Sequence, residues 1–262
     1  MKARLLLAGS LLLAVASAYA DEQLVSLSPR PGVEQRLLLI KNPAAKASVI
    51  LFAGGKGALK LSKSGCGVDI AWGKSNFLVR TRQQFADQGF MVAVVDAPSD
   101  HQGSRGMLDG FRTFAEHVTD IDAVIAELRQ RANVPVWLVG TSRGTESAVH
   151  IAIHSKQQPH GLVLSSSISE PNSKGTAVTE MELAKIAVPT LIVAHKQDAC
   201  SITPPEGAEK IKAALVNSKK VEVVYFDGGR TKGNPCKAKS HHGYLGIEET
   251  VVQRIAEFIN NN

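Results

Sequence analysis

Residues 136–154 read VWLVGTSRGTESAVHIAIH, and this stretch indicates the fold class. Its first four residues are apolar and include two valines, which is typical of a buried strand. The residues after Gly144 are compatible with a helix. Between them lies Gly140-Thr-Ser-Arg-Gly144, a G-x-S-x-G sequence that turns a strand sharply into a helix. Such a turn exposes Ser142 above the sheet edge, and it needs the flanking glycines because a Cβ there collides with the adjoining strand or helix.

Apolar runs and helical patterns alternate along the rest of the chain. The predicted strands are Arg36–Ile40, Ser48–Ala53, Phe90–Asp96, Val136–Gly140, Gly161–Ser165, Pro189–Ala194 and Val221–Phe226. Apolar residues recur at helical spacing in residues 118–128 and 251–259, and Thr203, followed by two prolines, predicts a helix start. This alternation predicts an α/β fold, with a mostly parallel central sheet and helices on both faces. Residues 166–188 are too few for an independent lid, so no large cap domain is expected.

The first twenty residues have the pattern of a secretory signal peptide. Lys2 and Arg4 form a basic region, residues 5–15 are apolar, and Ala18 and Ala20 are the small residues that signal peptidase requires. We expect cleavage after Ala20, with cleavage two residues earlier as the alternative, and hence a periplasmic or secreted protein. The apolar run is shorter than the roughly 20 residues of a membrane-spanning helix, so we expect no span in the mature chain.

The composition excludes several classes of protein. The 262-residue chain is 44% hydrophobic and 21% charged, as in globular proteins and unlike disordered or fibrous ones. Residues 21–262 contain no repeat or composition break, so we expect a single domain. Only 5% of the residues are aromatic, and the 30 Lys and Arg residues are dispersed, so nucleic-acid binding is not expected. No residue spacing matches a zinc site, and we expect neither a metal nor a cofactor.

A serine hydroxyl becomes nucleophilic when a base accepts its proton and a carboxylate orients that base. Asp198 lies just after the predicted strand Pro189–Ala194, and His242 lies on the loop that follows Val221–Phe226. Both positions belong to the carboxyl edge of the sheet, where α/β folds gather their functional groups. The order Ser142, Asp198, His242 is the order of a catalytic triad in folds that carry a G-x-S-x-G turn.

Over about the whole of residues 21–262 the sequence resembles the α/β-hydrolase superfamily. The resemblance rests on the G-x-S-x-G at Ser142, on the strand and turn that end at Asp198, and on His242-Gly-Tyr, which is similar to a His-Gly-aromatic signature of that superfamily. It implies that these three residues form a catalytic triad.

The same resemblance implies an oxyanion hole in the loop Ala53-Gly-Gly-Lys-Gly57. The backbone N–H groups of Gly55 and Arg143 are then expected to hold the oxyanion. Ala53 stands where the superfamily often has a histidine, and Arg143 stands where it usually has a small or apolar residue.

Competing residues remain for the acid and the base. Glu170 and Asp227 also follow predicted strands and are alternatives to Asp198. His241 adjoins His242 and is the alternative base.

Four side chains are candidates for substrate binding. Lys56 and Trp72 lie in the long connection 54–76, a length that is usually functional or disordered, and His101 follows a predicted strand. Arg143 adjoins the nucleophile and has donors that suit a carboxylate or phosphate. The alternative for Arg143 is an internal ion pair with a nearby acidic residue.

Three cysteines in an exported chain leave one unpaired. Cys200 lies two residues after Asp198, and Cys236 lies six residues before His242. If the acid and the base share a triad, their loops meet, so we predict a Cys200–Cys236 disulfide and a free Cys66.

The sequence thus leads us to expect an exported serine hydrolase that cleaves a small carboxylic ester through an acyl-enzyme. A peptidase or amidase on the same scaffold is one alternative, since it uses the same residues. A catalytically silent binding protein that keeps the pocket is the other.

Overall fold

A computed structural model describes residues 22–65 and 67–262 of the chain. The predicted signal peptide and Cys66 lie outside these residues. The strands are β1 (Glu22–Arg30), β2 (Val33–Ile40), β3 (Ser48–Phe52), β4 (Leu61–Ser64), β5 (Gly67–Ile70), β6 (Met91–Val95), β7 (Val136–Thr141), β8 (Gly161–Ser165), β9 (Thr190–His195) and β10 (Val221–Phe226). The α-helices are α1 (Phe77–Arg80), α2 (Arg82–Asp87), α3 (Ala115–Arg131), α4 (Gly144–His154), α5 (Gly207–Ala214) and α6 (Glu248–Asn260).

Eight strands form one sheet in the order β1-β2-β6-β3-β7-β8-β9-β10. Strands β1 and β2 are antiparallel to their neighbours, whereas all pairs from β6 to β10 are parallel. The predicted α/β class and mostly parallel sheet are therefore confirmed. All seven predicted strands are present, each within three residues of its expected bounds.

Buried apolar side chains cover both faces of this sheet. Helices α3, α4 and α5 pack against one face, and helices α1, α2 and α6 pack against the other. Successive residues of a strand point to opposite faces, so Ile50 of β3 enters the first layer and Leu51 enters the second. The two layers remove the central strands from water and hold their carboxyl ends in fixed positions.

Strand β1, the strand pair β4–β5 and helix α5 differ from the sequence-based expectation. Strand β1 is an edge strand of alternating polarity, and the antiparallel pair β4–β5 occupies part of the connection 54–76, where no element was predicted. Helix α5 begins at Gly207 and not at Thr203, because residues 204–206 form a turn in which Pro204 O accepts from Gly207 N–H at 3.0 Å.

The connection between β8 and β9 contains only short 3₁₀ segments, at Val178–Glu180 and Leu183–Lys185. No large cap covers the carboxyl edge of the sheet among the described residues. In that same part of the chain, no helix combines the length and the apolar character that crossing a membrane requires.

Candidate active site

Ser142 occupies the sharp turn between β7 and α4 and has a left-handed φ of 52°. The flanking glycines permit this turn, since a Cβ on Gly140 lies 2.6 Å from Gly144 O and a Cβ on Gly144 lies 2.0 Å from Phe52 O. The Ser142 N–H donates to Ser165 O at 3.0 Å, which fixes the turn to β8. Strained backbone of this kind is held by the surrounding structure, and here it directs the hydroxyl away from the sheet.

Asp198 and His242 lie together although 44 residues separate them. Asp198 follows β9, and its Oδ2 lies 2.9 Å from His242 Nδ1. Its Oδ1 accepts from the backbone N–H of Cys200 at 3.0 Å. Both side chains are at least nine-tenths buried, with 6% and 5% exposed. A buried carboxylate that accepts at Nδ1 fixes the imidazole so that Nε2 is the nitrogen left for a substrate or nucleophile.

Thr203 is a third member of this buried group, and sequence reasoning assigned it another role. Its hydroxyl donates to Asp198 Oδ2 at 3.0 Å, and the Thr203 hydroxyl oxygen also lies 3.0 Å from His242 Nδ1. Thr203 therefore stabilises the carboxylate rather than capping a helix. Thr203 lies five residues from Asp198 but 39 from His242, and no sequence pattern marked its contact with both.

Hydrogen bonds from neighbouring residues fix the backbone of His242. The Ser166 hydroxyl lies 2.9 Å from the His242 carbonyl oxygen and from the Tyr244 hydroxyl oxygen. The Tyr244 hydroxyl in turn donates to Val193 O at 3.0 Å. Tyr244 is fully buried, and this burial raises its pKa, so the hydroxyl stays protonated and continues to donate. The His242 loop is thus tied to strands β8 and β9.

His241, the alternative base, points elsewhere. Its Nδ1 lies 3.2 Å from Gln197 O, and its ring stacks on His195 with centroids 4.6 Å apart. Burial lowers the pKa of His195, which favours a neutral ring beneath His241. Of the two adjacent histidines, only His242 contacts Asp198.

The alternative acids are both engaged at the surface. Glu170 pairs with Lys210 at 2.7 Å, and Asp227 pairs with Lys196 at 2.9 Å. Neither carboxylate contacts His242, so the geometry favours Asp198 over both.

The loop after β3 lies directly against Ser142. A Cβ built on Gly54 lies 3.0 Å from Ser142 Cβ and 3.0 Å from Thr141 O, so a larger residue there forces its neighbours to shift. Within residues 22–65 and 67–262, neither the Gly55 N–H nor the Arg143 N–H donates an internal hydrogen bond. In that part of the chain both N–H groups therefore lack an internal acceptor, as an oxyanion hole requires.

Arg112 positions this loop, and sequence reasoning missed it. Its guanidinium donates to Ala53 O at 3.0 Å, to Gly55 O at 3.3 Å and to the Ser147 hydroxyl at 2.6 Å. The side chain is 1% exposed, and burial lowers its pKa to about 10. Arginines are usually exposed, so nothing in the sequence marked this one as internal.

The Arg143 side chain is not available to a substrate, so the prediction that it binds one is wrong. Its Nη1 lies 2.8 Å from Glu146 Oε1, and its Nη2 donates to Asn172 Oδ1. The pair is buried, and burial raises the pKa of Glu146 against the opposing charges of Arg112 and Arg143. The internal ion pair considered above is the arrangement observed.

A cavity of about 420 Å³ opens over Ser142 and His242. Its wall includes Gly55, part of the segment 73–77 and part of the loop 232–239. Asn76 belongs to this wall, and its Nδ2 lies 3.3 Å from the Cβ position of Gly54. Ser142, His242 and Gly55 therefore face one common space.

The other substrate-binding candidates differ in position. His101 stacks on Phe111 with centroids 3.6 Å apart and does not line the cavity, so that prediction is wrong. Lys56 lies over the exposed Trp72 ring at 4.6 Å. These two residues are the sequence neighbours of the cavity-lining Gly55 and Gly73, but neither lines the cavity itself.

Cys200 and Cys236 form a disulfide, with Cα atoms 4.6 Å apart. The bond links the Asp198 loop to the loop 232–239, which lines the cavity. The loop of Asp198 and one wall of the cavity are thus covalently joined.

Comparison with known proteins identifies the family. A family model described as serine aminopeptidase, S33, matches residues 73–223, which is more than half of the chain. No sequence among the curated proteins is similar to this chain.

Several solved structures share the fold. An esterase of Pyrococcus furiosus has 13% identity and a TM-score of 0.64, with 92% of each chain covered. A cold-adapted esterase from an Arctic intertidal metagenomic library has 15% identity and a TM-score of 0.59, with 90% of this chain and 93% of that chain covered. Dipeptidyl peptidase 4 of Porphyromonas gingivalis has 14% identity and a TM-score of 0.63, with 93% of this chain but only 36% of that chain covered. With the family match and this shared fold, the chain belongs to the S33 serine aminopeptidase family of α/β hydrolases.

Proposed function

We propose that the protein is an exported serine hydrolase that cleaves a carboxylic ester through an acyl-enzyme. The Ser142 Oγ attacks the ester carbonyl while His242 Nε2 accepts its proton, and Asp198 stabilises the resulting imidazolium. The N–H groups of Gly55 and Arg143 donate to the oxyanion. His242 then protonates the departing alkoxide, and a water molecule, activated by the same nitrogen, releases the acid and restores Ser142.

The observation that carries this proposal is the shared cavity. His242 is fixed by Asp198 at 2.9 Å, and it lines the same cavity as Ser142 and Gly55. Export is supported by the signal-peptide pattern and by the disulfide, since disulfides persist in oxidising compartments.

Peptide cleavage is the second candidate, and the family description favours it. An aminopeptidase must hold the α-ammonium of its substrate, and a carboxylate near the nucleophile is the strongest partner for that group. Among the described residues that line the cavity, none is acidic and three are lysines. The charge of the cavity therefore favours an ester over a peptide with a free amino terminus.

The test combines covalent labelling with paired substrates. A fluorophosphonate should label Ser142 in the native protein and not in Ser142→Ala, and Ser142→Ala should lower ester turnover by several orders of magnitude. Asp198→Asn should also lower turnover strongly, whereas Glu170→Gln, the matched control, should not. Absence of labelling would indicate a binding protein. Faster cleavage of aminoacyl anilides than of matched esters would indicate a peptidase.

A further inference from the structure

Residues 230–240, here called the basic loop, form one wall of the cavity. The loop contains four cationic side chains and no acidic one. Three of its lysines, Lys232, Lys237 and Lys239, line the cavity together with Ser142 and His242. A strongly cationic wall beside a nucleophile raises the local concentration of anionic ligands.

Some lysines of the protein are neutralised by ion pairs. Lys74, Lys196 and Lys210 each pair with a carboxylate at 2.7–3.0 Å. In the described part of the chain, none of the three cavity lysines has such a partner, and all three residues are exposed. Their charge is therefore not neutralised inside the protein.

The backbone of the basic loop is held in place. The Lys232 N–H donates to Lys239 O at 2.8 Å, and the buried Ser240 hydroxyl lies 2.7 Å from Lys237 O. The Ala238 carbonyl packs so closely on Gly243 that a Cβ there lies only 2.1 Å away. The disulfide of Cys236 adds a covalent link, so the lysines stay beside His242.

We infer that the substrate is an ester that carries a carboxylate or another anionic group, bound by Lys232, Lys237 and Lys239. This inference rests on the proposed ester hydrolysis and adds the class of substrate to it. The lysines are placed to hold the charged end of the substrate while the ester carbonyl lies at Ser142. A neutral ester of the same size gains nothing from this wall.

Equilibrium binding tests the inference without requiring turnover. Ser142→Ala is titrated calorimetrically with monomethyl glutarate and its neutral partner dimethyl glutarate, and with acetoxyacetate and its neutral methyl ester. The two pairs carry the charge on the acyl side and on the alcohol side. At low ionic strength, at least one anion should bind about tenfold more tightly than its neutral partner, and salt should reduce the ratio. Equal affinity within both pairs would overturn the inference.

A matched charge control separates the basic loop from the net charge of the protein. Lys232→Gln, Lys237→Gln and Lys239→Gln together should bring the affinity ratio close to one. Lys41→Gln, Lys46→Gln and Lys219→Gln remove the same charge from exposed positions at the opposite edge of the sheet, and they should leave the ratio unchanged. An equal fall in both triple variants would refute a local role for the loop.

The two proposals can fail separately. Ester hydrolysis is judged by fluorophosphonate labelling of Ser142 and turnover of neutral esters in the native protein, whereas the lysine site is judged by the affinity ratio in Ser142→Ala. Labelling without an anion preference would leave the hydrolase and remove the lysine site. An anion preference without labelling would leave the lysine site and remove the proposed hydrolase activity.

Discussion

Removing the Cys200–Cys236 disulfide should lower the stability of the protein by an amount that follows from the loop it closes. The two cysteines are 36 residues apart in sequence. In the chain-entropy model, a loop of that length contributes about 3.8 kcal/mol to the free energy of unfolding at 25 °C. For a domain of this size, that corresponds to a fall in Tm of about 8–15 °C.

The variant that tests this is Cys200→Ala with Cys236→Ala, compared with the native protein and with Cys66→Ala. Urea unfolding at 25 °C gives the free energy of unfolding, and a thermal scan gives Tm. The double alanine variant avoids new thiols, and Cys200 is 2% exposed, so its loss also removes some buried contact. The Cys66→Ala variant is expected to match the native protein, since the sequence predicts an unpaired Cys66.

The disulfide should also matter for activity in the folded protein. It joins the loop of Asp198 to the basic loop, and the Cys200 N–H donates to the Asp198 carboxylate. Freeing these loops should lower kcat/KM about tenfold or more at 25 °C, well below the new Tm. A change in unfolding free energy below about 1 kcal/mol would refute the loop-closure argument. An unchanged kcat/KM would refute the coupling of the loops.

Three further perturbations have defined outcomes. Thr203→Val removes the hydroxyl that donates to Asp198 and should lower kcat about tenfold in steady-state kinetics, while Thr203→Ser should restore most of it. Arg112→Lys keeps the charge but cannot reach all three acceptors, so the loop of Gly55 shifts and kcat should fall about 100-fold with little change in KM. Burial lowers the pKa of His150 to about 4, so the unfolded chain binds the extra proton first as the pH falls. Stability should be full above about pH 6.5 and should decrease toward pH 4, and His150→Gln should flatten that decrease in urea unfolding.

Each of these outcomes can be contradicted. An unaltered kcat in Thr203→Val would mean that the hydroxyl does not support the carboxylate. A rise in KM at constant kcat in Arg112→Lys would point to substrate binding rather than to the oxyanion loop. An identical pH dependence in His150→Gln would mean that other groups govern acid unfolding.

The turn at Ser142 could be predicted from the sequence because the residues that produce it are close together along the chain. The apolar run, the two glycines and the following helix all lie within residues 136–154, so sequence spacing predicts their geometry. The proximity of Asp198 and His242 could be predicted for a related reason. Each residue follows a strand, and parallel strands end at one edge of the sheet. The sequence left His241 open as the base, and only the contact at 2.9 Å separates the two histidines.

The contacts of the residues that support the site could not be predicted from the sequence. Ser166 and Arg112 contact residues that are distant in sequence, and Thr203 contacts His242, 39 residues away. Residues of these types are common on protein surfaces, so the sequence did not mark them. Arg143 was ambiguous because its neighbour sequence permits both an internal pair and a substrate contact. The direction of the Arg143 side chain depends on how α4 packs against the segment around Asn172, and no local sequence pattern specifies that packing.

The sequence by itself determined the fold class and which strand each candidate site residue follows. It also predicted the pairing of Cys200 with Cys236. These follow from periodicity and from where strands end, which are properties of short segments. Only the tertiary structure decided which side chains face the cavity: three lysines of the basic loop do, whereas Arg143 and His101 do not. The physical reason is that charge is free to meet a ligand only where folding leaves it without an internal partner, and such partners come from distant segments of the chain.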